Sequence, residues 1–198
     1  MRKKLLFSLS FSFAFILVAC GTVESAPVTI ETAPPQITKT TLLPTAEPKK
    51  ESKPSLTLEQ ENALEEAESY LKYSDFSREG LIDQLLYEGY SEETSQWAAD
   101  TVDVDWMAEA LDCAESYIRY SGFSYTGLLD QLDYEGFTPE QAAYGADNCG
   151  ADWNAEALET AESYLKYSSF SRSGLADQLD YEGFTTEQIE YALEGVGY

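Results

Sequence analysis

The sequence predicts an all-α chain of three tandem three-helix, helix-turn-helix-like repeats of 47 residues, placed after a disordered linker. Three observations predict it. Tyr70, Tyr117 and Tyr164 are equivalent at a fixed offset of 47, and the run Phe76-Ser77-x-x-Gly80-Leu81-x-Asp83-Gln84-Leu85-x-Tyr87-Glu88-Gly89 returns over 123–136 and 170–183. A fixed period of this size marks a supersecondary unit used as a module. Within each unit the apolar residues recur at three- and four-residue steps, which is the helical period. β-branched residues are scarce in the repeats, so no strand signal competes.

Residues 1–20 read as an export signal. Arg2, Lys3 and Lys4 form a positive start, and Leu5 to Val18 an apolar stretch too short for a spanning helix. Leu17-Val18-Ala19-Cys20 then has the small residues and cysteine of a bacterial lipoprotein processing site. Cleavage before Cys20 frees its amine and leaves its thiol as the lipid attachment point, with each buried methylene contributing about 0.8 kcal/mol at the bilayer. An uncleaved anchor or an ordinary secreted protein is the alternative reading.

Residues 21–56 read as a linker. They hold six of the seven prolines, many threonines and no apolar periodicity. Such a segment buries too little surface to offset its chain entropy. A flexible chain of this length spans about 33 Å end to end, which keeps the repeats close to the outer face of the membrane.

The repeats follow at 57–103, 104–150 and 151–198. The first helix of unit 1 runs from about Glu59 to Tyr73, with Ala63, Leu64, Ala67, Tyr70 and Leu71 on one face. Thr57 and Gln60 have capping-box spacing at its start. The second helix begins after Ser77, Ser124 and Ser171, each a good N-cap. Phe76 and Leu81, with their equivalents, have the spacing of a hydrophobic staple. Gly89, Gly136 and Gly183 end this helix, because glycine tolerates the left-handed C′ position. The third helix opens at Ser91, Thr138 and Thr185, and Thr138-Pro139-Glu140-Gln141 is the clearest start in the chain. Its apolar face is expected to use Trp97, Ala98 and Val102, then Tyr144, Gly145, Ala146 and Cys149, then Tyr191, Ala192 and Val196. Trp106 and Trp153 sit where one unit meets the next and are expected to be core.

Charge sorts sharply along the chain. Residues 58–198 hold 5 Lys and Arg against 32 Asp and Glu, while the linker holds four of each sign. The repeats should repel nucleic acid and anionic lipid and attract a basic protein segment. Solubility alone is the bland alternative. No histidine is present, which removes the commonest general base and metal ligand. No nucleophile elbow, phosphate loop or zinc spacing appears. Asp100-x-x-Asp103-x-Asp105 lacks the glycine and glutamate of a calcium loop and reads as helix capping. The chain is therefore expected to be no enzyme, with no cofactor and no metal.

The candidate contact residues lie on the second helix of each unit and just after it. They are Asp83, Tyr87 and Glu88; Asp130, Asp133, Tyr134 and Glu135; and Asp177, Asp180, Tyr181 and Glu182. A half-exposed tyrosine beside acids offers rigid area with a polar tip. Packing of these tyrosines against the first helix is the alternative. Cys113 and Cys149 occur only in the middle unit. In an exported protein they suggest a bridge from helix 1 to the end of helix 3, with two buried free thiols as the alternative.

The repeated run from Phe76 to Gly89, with Tyr70 before it and Asp105-Trp106 and Asp152-Trp153 as joints, resembles the Ltp-like helix-turn-helix repeat. That module occurs in host cell surface-exposed lipoproteins of Gram-positive bacteria and their prophages. The likeness covers about residues 58–198, and the signal and linker match the family layout. One departure is copy number: three units here, fewer in phage members. The resemblance implies superinfection exclusion, the blocking of DNA entry from a later phage, and hence a phage tail or injection component as partner. A general cell-envelope interaction or adhesion role is the alternative. Either role places the protein on the extracellular face of the cell membrane, held by its acyl chains.

Overall fold

The computed structural model describes residues 56–198. The export signal, the Cys20 attachment point and all of the linker before Leu56 lie outside the described residues. Among the described residues there are nine helices and no strand: α1 (Leu58–Tyr73), α2 (Arg78–Tyr87), α3 (Glu92–Thr101), α4 (Trp106–Tyr120), α5 (Tyr125–Tyr134), α6 (Pro139–Asn148), α7 (Trp153–Tyr167), α8 (Arg172–Tyr181) and α9 (Thr186–Gly195).

Each start is set by a local cap. Thr57, Thr138 and Thr185 form capping boxes with Gln60, Gln141 and Gln188. Asp105 and Asp152 cap α4 and α7 and present Trp106 and Trp153 as the first helical residues. Such caps are worth about 1 kcal/mol each. Gly89, Gly136 and Gly183 carry φ of 96°, 88° and 89°, which turns the chain sharply after each second helix.

Each unit closes its own core, and there are three clusters. The first gathers Ala63, Ala67, Leu81, Leu85 and Ala98, with Phe76 packed against it. The second gathers Ala110, Ala114, Leu128, Leu132 and Ala146. The third gathers Ala157, Ala161, Leu175, Leu179 and Leu193. Alanines on the first and third helices let their backbones approach, and the leucine pair on the second helix fills the wedge between them. Within unit 1, Ser95 is fully buried and its hydroxyl has no partner; alanine and isoleucine stand at the equivalent 142 and 189.

The tryptophans act at the joints as expected. Trp106 packs on the core of unit 1 although it belongs to α4. Trp153 of α7 packs on the core of unit 2 and meets Tyr125 edge to face at 5.5 Å. Two expectations for the third helix are corrected. Tyr144 and Tyr191 are exposed, whereas Trp97 at the equivalent position of unit 1 packs against its core.

Candidate functional site

The joints are built from the second-helix caps. Ser77 Oγ accepts from the Gly80 amide at 2.9 Å and donates to the Glu135 carbonyl of the next unit at 2.5 Å. Ser124 does the same with Gly127 and the Glu182 carbonyl, at 2.9 and 2.5 Å. A serine hydroxyl can accept and donate at once, whereas an aspartate cap could only accept. The carbonyls it reaches close the second helix of the following unit, where helical partners run out. A carboxylate completes each joint: Phe76 N–H donates to Glu109 and Phe123 N–H to Glu156, both at 3.3 Å. The repeats are therefore fastened by the same hydrogen bonds twice.

The candidate contact residues separate into two groups on this frame. Asp83, Asp130, Asp133, Asp177 and Asp180 are all exposed. Tyr87, Tyr134 and Tyr181 are 86, 67 and 69% exposed, so the reading that packs them on the first helix does not apply. Asp83 and Tyr87 stand four residues apart on α2, as do Asp130 and Tyr134 on α5 and Asp177 and Tyr181 on α8, which puts each pair on one helix face. None of the five aspartates is ion-paired, since the ion pairs among the described residues are Arg78 with Glu79 and Asp100, and Arg172 with Glu190.

The glutamates form the second group. Glu88 accepts from the Tyr70 hydroxyl at 2.9 Å and from Gln84 Nε2 at 3.1 Å. Glu135 binds Tyr117 and Gln131, and Glu182 binds Tyr164 and Gln178. Each carboxylate is thus turned inward to tie the end of the second helix to the first helix of its own unit. Burial, then the bond to Glu182, pushes the Tyr164 hydroxyl up to about 12; Tyr117 is pushed up by burial and by Glu135. These hydroxyls stay protonated and donate. The tyrosine–glutamine–glutamate ties and the joint carboxylates escaped the sequence reading. Gln84, Gln131 and Gln178 recur with no apolar reason to do so, and that recurrence was the available signal.

Cys113 is buried in the middle core and Cys149 packs against the same core from the end of α6. Both are free thiols in the structure. Cys149 Sγ lies 3.5 Å from the Ala146 carbonyl, to which it donates.

Burial pushes the Glu109 and Glu156 carboxyls above the ordinary range; Asp75 and Asp112 add to this at Glu109, and Glu159 and Asp152 at Glu156. An acid with a raised folded-state pKa contributes stability below its unfolded value and loses it as pH rises through the folded one. Arg78 works in the opposite sense, holding Asp100 below its ordinary value, so that contribution is lost only at more acidic pH. The thermal midpoint is therefore expected to be higher at about pH 5 than at about pH 7. The paired Glu109→Gln and Glu156→Gln substitutions should flatten the difference. A lower midpoint at the acidic pH would contradict this account of the joints.

Comparison with known proteins places this frame among relatives. A family model described as host cell surface-exposed lipoprotein matches residues 58–102, 105–149 and 152–196. Among solved structures, Ltp, a superinfection exclusion protein from the Streptococcus thermophilus temperate phage TP-J34, is 29% identical. The alignment covers 46% of this chain and 97% of that chain, with a TM-score of 0.43. No curated protein matches the chain.

Proposed function

This chain belongs to the host cell surface-exposed lipoprotein family, and from that premise we propose that it is a non-enzymatic capture protein whose acidic repeats interfere with phage DNA injection. The observation that carries the reading is the outer face of α2, α5 and α8. It presents unpaired aspartates beside exposed tyrosine three times over. A basic segment of a phage tail or injection component fits that face by charge, and tyrosine adds contact area and cation–π attraction. Repetition raises the effective concentration for a partner that bridges two units. Acyl chains at Cys20 and the residues that follow it keep the array at the outer membrane surface, where injected DNA must pass.

The test is phage DNA entry into cells with and without the gene. Expression should lower entry while adsorption stays unchanged. Cys20→Ser should release the protein from the membrane and weaken protection. Equal infection with and without the gene across a broad phage panel would contradict the exclusion role and leave a general envelope-binding protein as the better reading.

A further inference from the structure

The proposed capture face lies on the second helix of each unit. A different surface repeats on the first. Lys72, Arg119 and Lys166 are three of the five basic residues in the repeat region, and each immediately precedes a tyrosine. Those tyrosines, Tyr73, Tyr120 and Tyr167, are 76, 80 and 77% exposed. The base has a structural reason to be there, because it stands in the last turn of α1, α4 or α7 and faces the negative end of the helix dipole. The ring packs on none of the three cores.

In unit 3, Lys166 and Tyr167 line an open surface concavity with Glu159, Glu162 and Ser163. These positions are spaced 3, 4, 7 and 8 residues from the first, which places all five on one helix face. Units 1 and 2 repeat the same kinds of residue at the same positions: two acids, a serine, a base and a tyrosine. Ser116, the equivalent of Ser163, donates to Asp75 across the joint; the equivalent of Asp75 in the next unit is Gly122, so Ser163 has no such partner. The ammonium groups of Lys72 and Lys166 sit 5.1 and 5.2 Å from the centroids of Tyr73 and Tyr167.

We infer that this first-helix stripe binds an uncharged glycan strand. The charge pattern selects the partner. A cationic segment is better served by the second-helix face, which lacks a base at the equivalent sites, and would meet a lysine or arginine here. An anionic polymer is repelled by the surrounding acids. What remains attractive is a ligand rich in hydroxyl groups with an apolar C–H face. A tyrosine ring supplies the stacking platform, carboxylates and serine accept from hydroxyls, and the base donates to ring or glycosidic oxygens. Three stripes with the same residue types suit a polymer of repeating units, because each further contact becomes intramolecular. The site is open and shallow, so a single sugar should bind weakly and a strand should bind well.

The experiment uses the intact acylated chain in detergent micelles and measures its retention on chitin, an uncharged strand of N-acetylglucosamine units. The unaltered chain should be retained, with retention nearly constant between about 0.05 and 0.5 M salt. The combined Tyr73→Ala, Tyr120→Ala and Tyr167→Ala variant should lose at least about tenfold in affinity, and each single substitution much less. Because these rings pack on no core, helicity should be unchanged, which circular dichroism checks. No retention of the unaltered chain overturns the inference. So does retention unchanged in the triple variant, or retention abolished by salt. If the triple variant weakens only the binding of a lysine-rich peptide, the stripe belongs to a basic protein partner and the glycan assignment falls. Failure of the exclusion role would be read separately, in DNA entry, and does not depend on this result.

Discussion

Gly136→Ala is expected to destabilise the repeat region by about 2–4 kcal/mol, while Gly89→Ala costs only about 1–2 kcal/mol. The two glycines are equivalent and share a positive φ, 88° and 96°. Any L side chain is strained there, and that strain is common to both. The surroundings differ. A Cβ on Gly136 would lie 2.8 Å from Ser77 Oγ and 3.1 Å from Glu79 Cβ. Ser77 Oγ cannot move aside without giving up its bond to the Gly80 amide, to the Glu135 carbonyl, or to both. A Cβ on Gly89 would meet nothing within 4 Å. Gly183 repeats the crowded case against Thr126 and Ser124. Denaturant unfolding of the two variants isolates the joint. Equal losses would mean that the units hang together without the cap–carbonyl bond.

Neutralising the second-helix face should abolish capture while leaving the fold intact. Asp83, Asp130, Asp133, Asp177 and Asp180 are exposed, and their carboxylates make no hydrogen bond or ion pair among the described contacts. Replacing all five by asparagine keeps their shape and removes five negative charges. Helicity and thermal midpoint should be preserved or slightly improved, because like-charge repulsion falls. Protection of cells against phage should drop to the level of cells without the gene, and affinity for a lysine-rich tail segment should fall at least about tenfold. The matched control replaces Glu88, Glu135 and Glu182 by glutamine. It loosens the ties to Tyr70, Tyr117 and Tyr164 and should cost stability before it costs binding. Full protection from the five-fold asparagine variant would show that the partner is held elsewhere.

Much of this architecture was legible in the sequence because its signals are local and occur three times. Caps such as Thr138 with Gln141, the Phe–Leu staples and the turn glycines act within a few residues. The 47-residue period repeats each of them, so chance agreement is removed. Trp106 and Trp153 were placed at joints because they fall between periods. The missed features are those whose partner lies far along the chain. Glu88 reads as an exposed acid at a helix end until Tyr70, 18 residues earlier, is brought beside it. Ser77 reads as a simple N-cap until the Glu135 carbonyl, 58 residues later, arrives at its hydroxyl. Tyr144 and Tyr191 read as core because periodicity gives a face but not how deep each residue on it sits; Trp97, at the equivalent position, does pack on its core.

The central claim is that an anionic helical array at the membrane captures a cationic partner through charge. Its most direct test is the affinity of the intact chain for purified basic tail proteins as salt is raised from about 0.05 to about 0.5 M. Affinity that falls steadily with salt, and is already weak at the start in the five-fold asparagine variant, is the predicted result. Binding that is indifferent to salt, or equal in the two proteins, would contradict the claim.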